Sequence, residues 1–302
     1  MLSNRLQDTA LRYFLEVVRS GSVSDAAARL NVSPSAVSRQ VAGLEEMLGV
    51  PLFERRPRGM APSPAGELLA AHARRGALEA DRVVSEIEAL QGLRRGVVRV
   101  CSSGGFAIEF LPRAMALFRE QYPGMQFHLR VEAPAAVTQA VLGGEADVGL
   151  TYSRAAARDI EVWHRQVSPV VAIMRPDHAL ARHASITLAQ MHPHAIALPE
   201  DANTARQLFD IACSHRRLVF EPALVSGQFE TLVHFVLHGG GLSLGGEVTM
   251  RERVRRGELH AVPIRERGMN ARAIELQTLA GRTLSKGVRA FVEHLRELLP
   301  PG

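Results

Sequence analysis

The stretch from Ser22 to Leu48, SVSDAAARLNVSPSAVSRQVAGLEEML, implies two short helices broken at Asn31-Val32. Ser33 offers a side-chain acceptor to cap the second helix, and Pro34 falls at its first position, where a missing N–H costs nothing. Val37, Val41, Leu44 and Leu48 recur at helical spacing and are expected to face inward. At about 100° per residue, Ser35, Arg39 and Ala42 then point outward, with Ser38 beside them. A small, polar, arginine-bearing face on the second of two crossed helices has the size and donor chemistry to enter a DNA major groove.

The flanking residues extend this unit. Leu11, Phe14, Leu15 and Val18 mark one face of an earlier helix that stops at Ser20-Gly21. Ser22 or Ser24 caps the next, where Ala26, Ala27 and Leu30 allow close packing, and the third helix ends at Gly49. After it, VPLFERRPRGMAPS places Arg55, Arg56 and Arg58 around a Pro-Gly turn behind the apolar Leu52-Phe53. Such a run fits a solvated charged loop. It also fits a hairpin wing whose arginines reach phosphate, the reading favoured directly after a helix-turn-helix. The formal net charge of +5 favours an anionic partner weakly, and Lys286 is the only lysine.

The string LRYFLEVVRSGSVSDAAARLNVSPSAVSRQVAGLEEMLGVPLFERRPRGMAPSPAG resembles the winged helix-turn-helix of LysR-type transcriptional regulators, with AVSRQ, LE, LG, LF-R and AG at the family's spacing. By that resemblance Ser38 and Arg39 sit where the family contacts bases and phosphates. The DNA-binding set expected here is Ser33, Pro34, Ser35, Ser38 and Arg39, with Arg55, Arg56 and Arg58 on the wing. This chain has Pro34-Ser35 where many members carry Gln-Pro, so a glutamine base contact is absent. Pro62-Ser63 stands where Leu-Thr is usual.

Ser63 and Pro64 open a further helix, along which Leu69, Ala73, Gly76, Ala80, Val83, Ile87 and Leu90 form a heptad seam. The seam fits a helix that pairs with another helix, and it also fits a long helix lying on its own domain. In the regulator family the equivalent helix dimerises. The resemblance thus implies a homodimer assembling to a homotetramer on a double-stranded DNA operator, with RNA polymerase as a further partner.

Past the polar segment Gly92 to Gly96 the periodicity changes. VVRVCSS, FHLRV and ADVGLTY read as strands, separated by helices on Leu111, Met115, Phe118 and Tyr122 and on VTQAVLGG, an order that argues for a mostly parallel sheet. A second unit begins near Val167, and ARAIELQTLAGR with VRAFVEHLRELL closes the chain. The spans GGEADVGL, RPDHALA, VLHGGGLSL and LAGRTLSKGVRAFVEHL resemble the family's effector-binding domain, in which the last elements return to the first lobe. The expected fold is therefore α/β overall: an all-α winged helix-turn-helix domain over 1–66, a linker and dimerisation helix over 67–92, and a two-lobed, periplasmic-binding-protein-like α/β domain over 93–302. Lobe I is expected over about 96–165 plus 268–302, and lobe II over about 166–267.

Ligands of such domains bind beyond the carboxyl ends of parallel strands, near helix N-termini. Ser102 and Ser103, Thr151, Asn203, Thr204 and Gln228 fall at such places, though each also fits a cap or turn. By resemblance Pro134 lies on the same cleft; many members have serine or threonine there, so a less polar ligand is expected. The effector is a small molecule of unknown identity, and no cofactor is expected.

Other function classes find less support. His164, His178, His183, His192 and His194 raise a ligand-binding or metal-dependent enzyme-like protein as the alternative, but no HExxH or P-loop string is present, and no catalytic residue is assigned. Cys101 and Cys213 lack metal-ligand spacing and read as small buried residues. MLSNRLQDTALRYF lacks a basic-then-apolar secretory pattern and no apolar run reaches membrane-span length, so a cytoplasmic protein without membrane association is expected.

Overall fold

A computed structural model describes residues 6–56, 59–90, 96–155 and 157–300, apart from the side chains of 55, 56, 85, 86 and 88–90. The chain divides into two compact units, Met1–Leu93 with Arg282–Ser285, and Arg94–Gly281 with Lys286–Gly302. Among the described residues, no helix is long and apolar enough to cross a membrane.

The N-terminal unit is built from helices α1 (Thr9–Ser20), α2 (Val23–Leu30) and α3 (Pro34–Leu48), a hairpin of β1 (Phe53–Arg56) and β2 (Gly59–Pro62), and the long helix α4 (Pro64–Leu90). Each early helix has its local stop and start written in. Asp8, Ser22 and Ser33 accept backbone N–H groups at the three N-termini, and Gly21, Asn31 and Gly49 take left-handed conformations at the C-termini. Phe14, Val17, Ala26, Ala27, Val37, Val41 and Leu44 fill the core, with Phe14 and Phe53 rings 5.2 Å apart.

Two expectations need correction here. Leu48 is not inward but 45% exposed. The shared core ends at Leu44, and Glu45 in the last turns of α3 is drawn to the wing, accepting Leu52 N–H at 2.7 Å. The heptad seam is also divided: Ala73 and, in part, Leu69 pack in this unit's own core, because the start of α4 lies against α1. Gly76 and Ile87 are exposed, Ala80 and Val83 half-buried, and the Leu90 side chain lies outside the described residues.

The second unit holds two five-stranded sheets. Lobe I orders its strands β4-β3-β5-β12-β6, from β3 (Gly96–Ser102), β4 (Met125–Val131), β5 (Val148–Ser153), β6 (Ile160–Val167) and β12 (Ala273–Leu279). Lobe II orders them β11-β7-β10-β8-β9, from β7 (Val170–Met174), β8 (Ile196–Pro199), β9 (Leu224–Ser226), β10 (Leu242–Gly246) and β11 (His260–Pro263). The parallel order expected for β3, β4 and β5 holds, while each sheet also contains one reversed strand. β12 is antiparallel to β5 and β6, and β7 is antiparallel to β10 and β11. Each reversed strand is the first after the chain has crossed from the other lobe, so it enters its sheet from the opposite end. The crossings meet at Ser168 and Arg272, where Ser168 N–H donates to the Arg272 carbonyl at 3.1 Å.

Helices cover these sheets as their apolar stripes require. α5 (Gly104–Ile108), α6 (Phe110–Gln121), α7 (Pro134–Leu142) and α12 (Lys286–Leu298) belong to lobe I; α8 (Leu188–Met191), α9 (Thr204–Arg216), α10 (Phe229–Leu237) and α11 (Glu247–Arg255) belong to lobe II. Val288, Phe291, Val292 and Leu295 are the buried stripe of α12, and Phe291 meets Phe127 at 4.6 Å between ring centres. At about 1.5–3 kcal/mol for each large side chain fully removed from water, this returning helix is a main fastener of lobe I.

Candidate nucleic-acid interface and ligand cleft

On α3 the inward residues Val37 and Val41 fix which residues face out. Ser33, Pro34, Ser35, Ser38 and Arg39 are all exposed. The Ser33 hydroxyl accepts Ala36 N–H at 3.3 Å and lies 3.0 Å from the Ser35 hydroxyl, which holds both oxygens at the helix start. Arg39 makes no hydrogen bond or ion pair among the described residues, so its guanidinium is free to reach out. Its fork of donors suits guanine and phosphate alike.

Behind α3 the hairpin is pinned rather than loose. Arg55 and Arg56 lie on β1, their backbones opposite Met60 and Gly59. Met60 N–H donates to Gly21 at 2.8 Å, and Ser63 donates to Leu52 through its N–H at 2.9 Å and to Pro51 through its hydroxyl at 2.8 Å. The side chains of Arg55 and Arg56, and Arg58 entirely, lie outside the described residues.

In the second unit a cavity of about 650 Å³ opens between the lobes. Its walls come from the segments that follow β3, β4, β8, β9 and β10, all carboxyl ends of strands running parallel to a neighbour. That is the position α/β sheets reserve for ligands. The N-termini of α7, α9, α10 and α11 converge there through Pro134, Asn203, Gln228 and Gly246. Those of α7, α10 and α11 have no side-chain cap, leaving their N–H groups for another acceptor.

Of the residues expected on this cleft, Ser103, Pro134, Asn203 and Gln228 line it, while Ser102, Thr151 and Thr204 do not. Strand alternation explains the first two misplacements. Ser102 and Thr151 are fully buried, and it is their neighbours Ser103 and Tyr152 that face the cavity. Thr151 instead lies 2.9 Å from the Ser103 hydroxyl and donates to the Pro134 carbonyl at 3.3 Å, so it braces the wall from behind. Thr204 is buried under the first turn of α9, while Asn203 accepts Ala205 N–H at 2.8 Å and shows its other atoms to the cleft.

The sequence reading passed over Arg272. This side chain is 4% exposed and lines the cavity. It donates to the Ser168 and Gly245 carbonyls, both at 3.0 Å, and stacks on the Tyr152 ring at 4.1 Å. Burial pushes its pKa below the usual arginine range, with Tyr152 acting the other way. A positive charge between Ala271 and Ala273, just before a strand of buried residues, was the one signal available.

The lobes also touch beside the cavity. Arg256 donates to Glu109 at 2.5 Å and Arg113 to Glu252 at 3.5 Å, each pair joining lobe I to lobe II. The histidines do not gather: His178 and His194 meet edge-on at 4.7 Å, and His192 contacts the Val219 carbonyl at 3.0 Å. No group of three or more metal-ligating side chains occurs among the described residues. Cys101 and Cys213 are buried, one in each lobe, and burial pushes the Cys213 thiol up to about 12.

The likeness to known proteins runs over both units. Residues 9–67 match the family described as bacterial regulatory helix-turn-helix protein, lysR family, and residues 91–300 match the LysR substrate binding domain. YeiE of Escherichia coli K12, described as an uncharacterised HTH-type transcriptional regulator, is 31% identical over 84% of this chain and 85% of its own length. Among solved structures, full-length OxyR of Pseudomonas aeruginosa is similar with a TM-score of 0.65 at 20% identity, covering 96% of this chain and 93% of that one. HinK, a LysR family transcriptional regulator from the same organism, is similar with a TM-score of 0.54 at 26% identity, covering 95% and 96%. With a winged helix-turn-helix, a long linker helix and a two-lobed α/β domain in that order, this chain belongs to the LysR family of DNA-binding transcriptional regulators.

Proposed function

We propose that this regulator reads a specific operator through Ser35, Ser38 and Arg39 of α3, with the wing arginines holding register on the phosphate backbone, and that a small effector in the interlobe cavity modulates the outcome. The observation that carries the DNA-reading half is an Arg39 guanidinium with no partner among the described residues, on the same exposed stretch of α3 as Ser35 and Ser38. The effector half rests on the cavity at the carboxyl ends of the parallel strands, walled by both lobes. A ligand that binds one lobe arrangement better than another shifts the population toward it. The cleft is read as a sensing site without chemistry of its own.

In this reading two protomers pair through the exposed stretch of α4 around Gly76 and Ile87, dimers associate into tetramers, and the bound assembly meets RNA polymerase. The two-fold symmetry of the dimer then requires a near-palindromic operator. Selection from a pool of genomic DNA fragments tests it. The expected result is enrichment of a few fragments that share an inverted repeat. Uniform recovery across the pool would contradict sequence-specific reading.

A further inference from the structure

We infer that the interlobe cavity is built for a small organic monocarboxylate whose negative charge is met by Arg272 and the Tyr152 hydroxyl at the crossing of the two lobes. The inference rests on the effector reading above and names the chemistry of that ligand.

Four observations converge on it. Arg272 is a buried cation on the cavity wall with no carboxylate within ion-pair distance among the described residues. Two backbone carbonyls and an aromatic face hold the guanidinium in place, but they supply only partial charges. A buried charge so incompletely paired is costly unless an anion completes it. Tyr152 is 8% exposed, faces the same cavity, and its hydroxyl has no hydrogen-bond partner among the described residues. The hydroxyl is a covered donor that lacks an acceptor, beside the cavity wall at Gly246. Gly246 leaves room for this pair, since a Cβ there would lie 2.4 Å from the Tyr152 hydroxyl and 3.2 Å from an Arg272 amino nitrogen. The uncapped N-termini of α7, α10 and α11 add positive potential from three directions.

The same walls limit what the anion can be. Glu132 and Glu200 also line the cavity, so a second negative charge on the ligand would meet repulsion. Val131, Pro134, Val225, Phe229, Leu232 and Leu244 supply apolar surface for the ligand's body. Arginine's planar fork prefers two oxygens of one carboxylate over a single acceptor. Arg272 bonds to Ser168 of the crossing and to Gly245 of lobe II, so pairing with a ligand acts directly on the junction the lobes share.

The test is thermal-shift and calorimetric titration of the full chain with benzoate, phenylacetate and hexanoate, their neutral amides, and the dianion terephthalate. At millimolar concentration one or more monocarboxylates should bind, with the matching amide and terephthalate binding at least about tenfold more weakly. Arg272→Gln should weaken that binding by about thirtyfold or more, as loss of one partner of a buried charge pair does. Arg272→Lys should recover part of it. Tyr152→Phe keeps the ring beneath Arg272, so it serves if the arginine variants do not fold, and should weaken binding several-fold. Equal binding of acid and amide, wild-type affinity in Tyr152→Phe and Arg272→Gln, or no binding by any of the acids would overturn the assignment. Acid binding that depends on Arg272 but leaves operator affinity unmoved would instead overturn the sensor reading while leaving the anion site in place.

Discussion

At the start of a short 3-10 helix in lobe II, the His178 ring accepts Leu180 N–H through Nδ1 at 3.2 Å and lies edge-on to His194. Burial and the facing His194 hold its pKa below the ordinary 6.5, with Asp177 pulling upward. The fold therefore favours the neutral ring, and protonation would also remove the accepting lone pair. For a group depressed in the folded state, the stabilising contribution is complete above the unfolded value and lost as pH falls through the folded one. Thermal melts from about pH 7 down to about pH 5 should show this loss, and it should shrink in His178→Asn, which keeps a capping acceptor but cannot be protonated. A pH profile identical to that of the wild type would mean the ring contributes nothing. Caps such as Ser22 and Ser33 were legible in the sequence because their partners lie within three residues. Arg272 was not, since its partners are Ser168 and Gly245, 104 and 27 residues away, and only the crossing of two lobes brings them together.

Among the elements, the turn from wing to linker helix carries the tightest packing of the N-terminal unit. A Cβ on Gly66 would lie 2.1 Å from the Leu52 carbonyl oxygen, which itself accepts Ser63 N–H. Neither group can move without opening the hairpin or the start of α4. Gly66→Ala is expected to cost about 1–3 kcal/mol, the usual penalty of overpacking, and denaturant unfolding of the purified variant measures it. A midpoint equal to that of the wild type would show that the turn is softer than its geometry implies. Helix faces were readable at this scale because 3.6-residue periodicity is local, and α1, α3, α6 and α12 bury most of the stripes their sequences mark, with Leu48 and Tyr122 exposed at the C-terminal ends of theirs. Edge strand β6 and helix α11 were not. β6 alternates charged Glu161 and Arg165 with half-buried neighbours, and α11 reads as EVTMRERVR with only Thr249 and Met250 buried. Strand direction was also beyond local reading, for β7 and β12 run backwards only because the chain crosses twice between lobes.

For the whole molecule, the sequence pattern carried the order of modules further than the surfaces by which they act. The heptad seam is one regular string in the sequence, yet Leu69 and Ala73 are spent on the protomer's own core, so only its later positions can meet a partner. Ile87 is 49% exposed, and a charge there should leave the protomer folded while separating protomers. Sedimentation of Ile87→Glu is expected to show a smaller species with unchanged circular dichroism; an unchanged assembly would place the pairing elsewhere. The regulator reading stands most directly on Arg39. Fluorescence anisotropy titration of a selected operator and a scrambled duplex with wild type and Arg39→Ala tests it. The wild type should prefer the operator clearly, and Arg39→Ala should lose about 1–3 kcal/mol of that preference while retaining salt-dependent binding to both duplexes. Operator preference undiminished in Arg39→Ala would show that α3 does not read the sequence with this face.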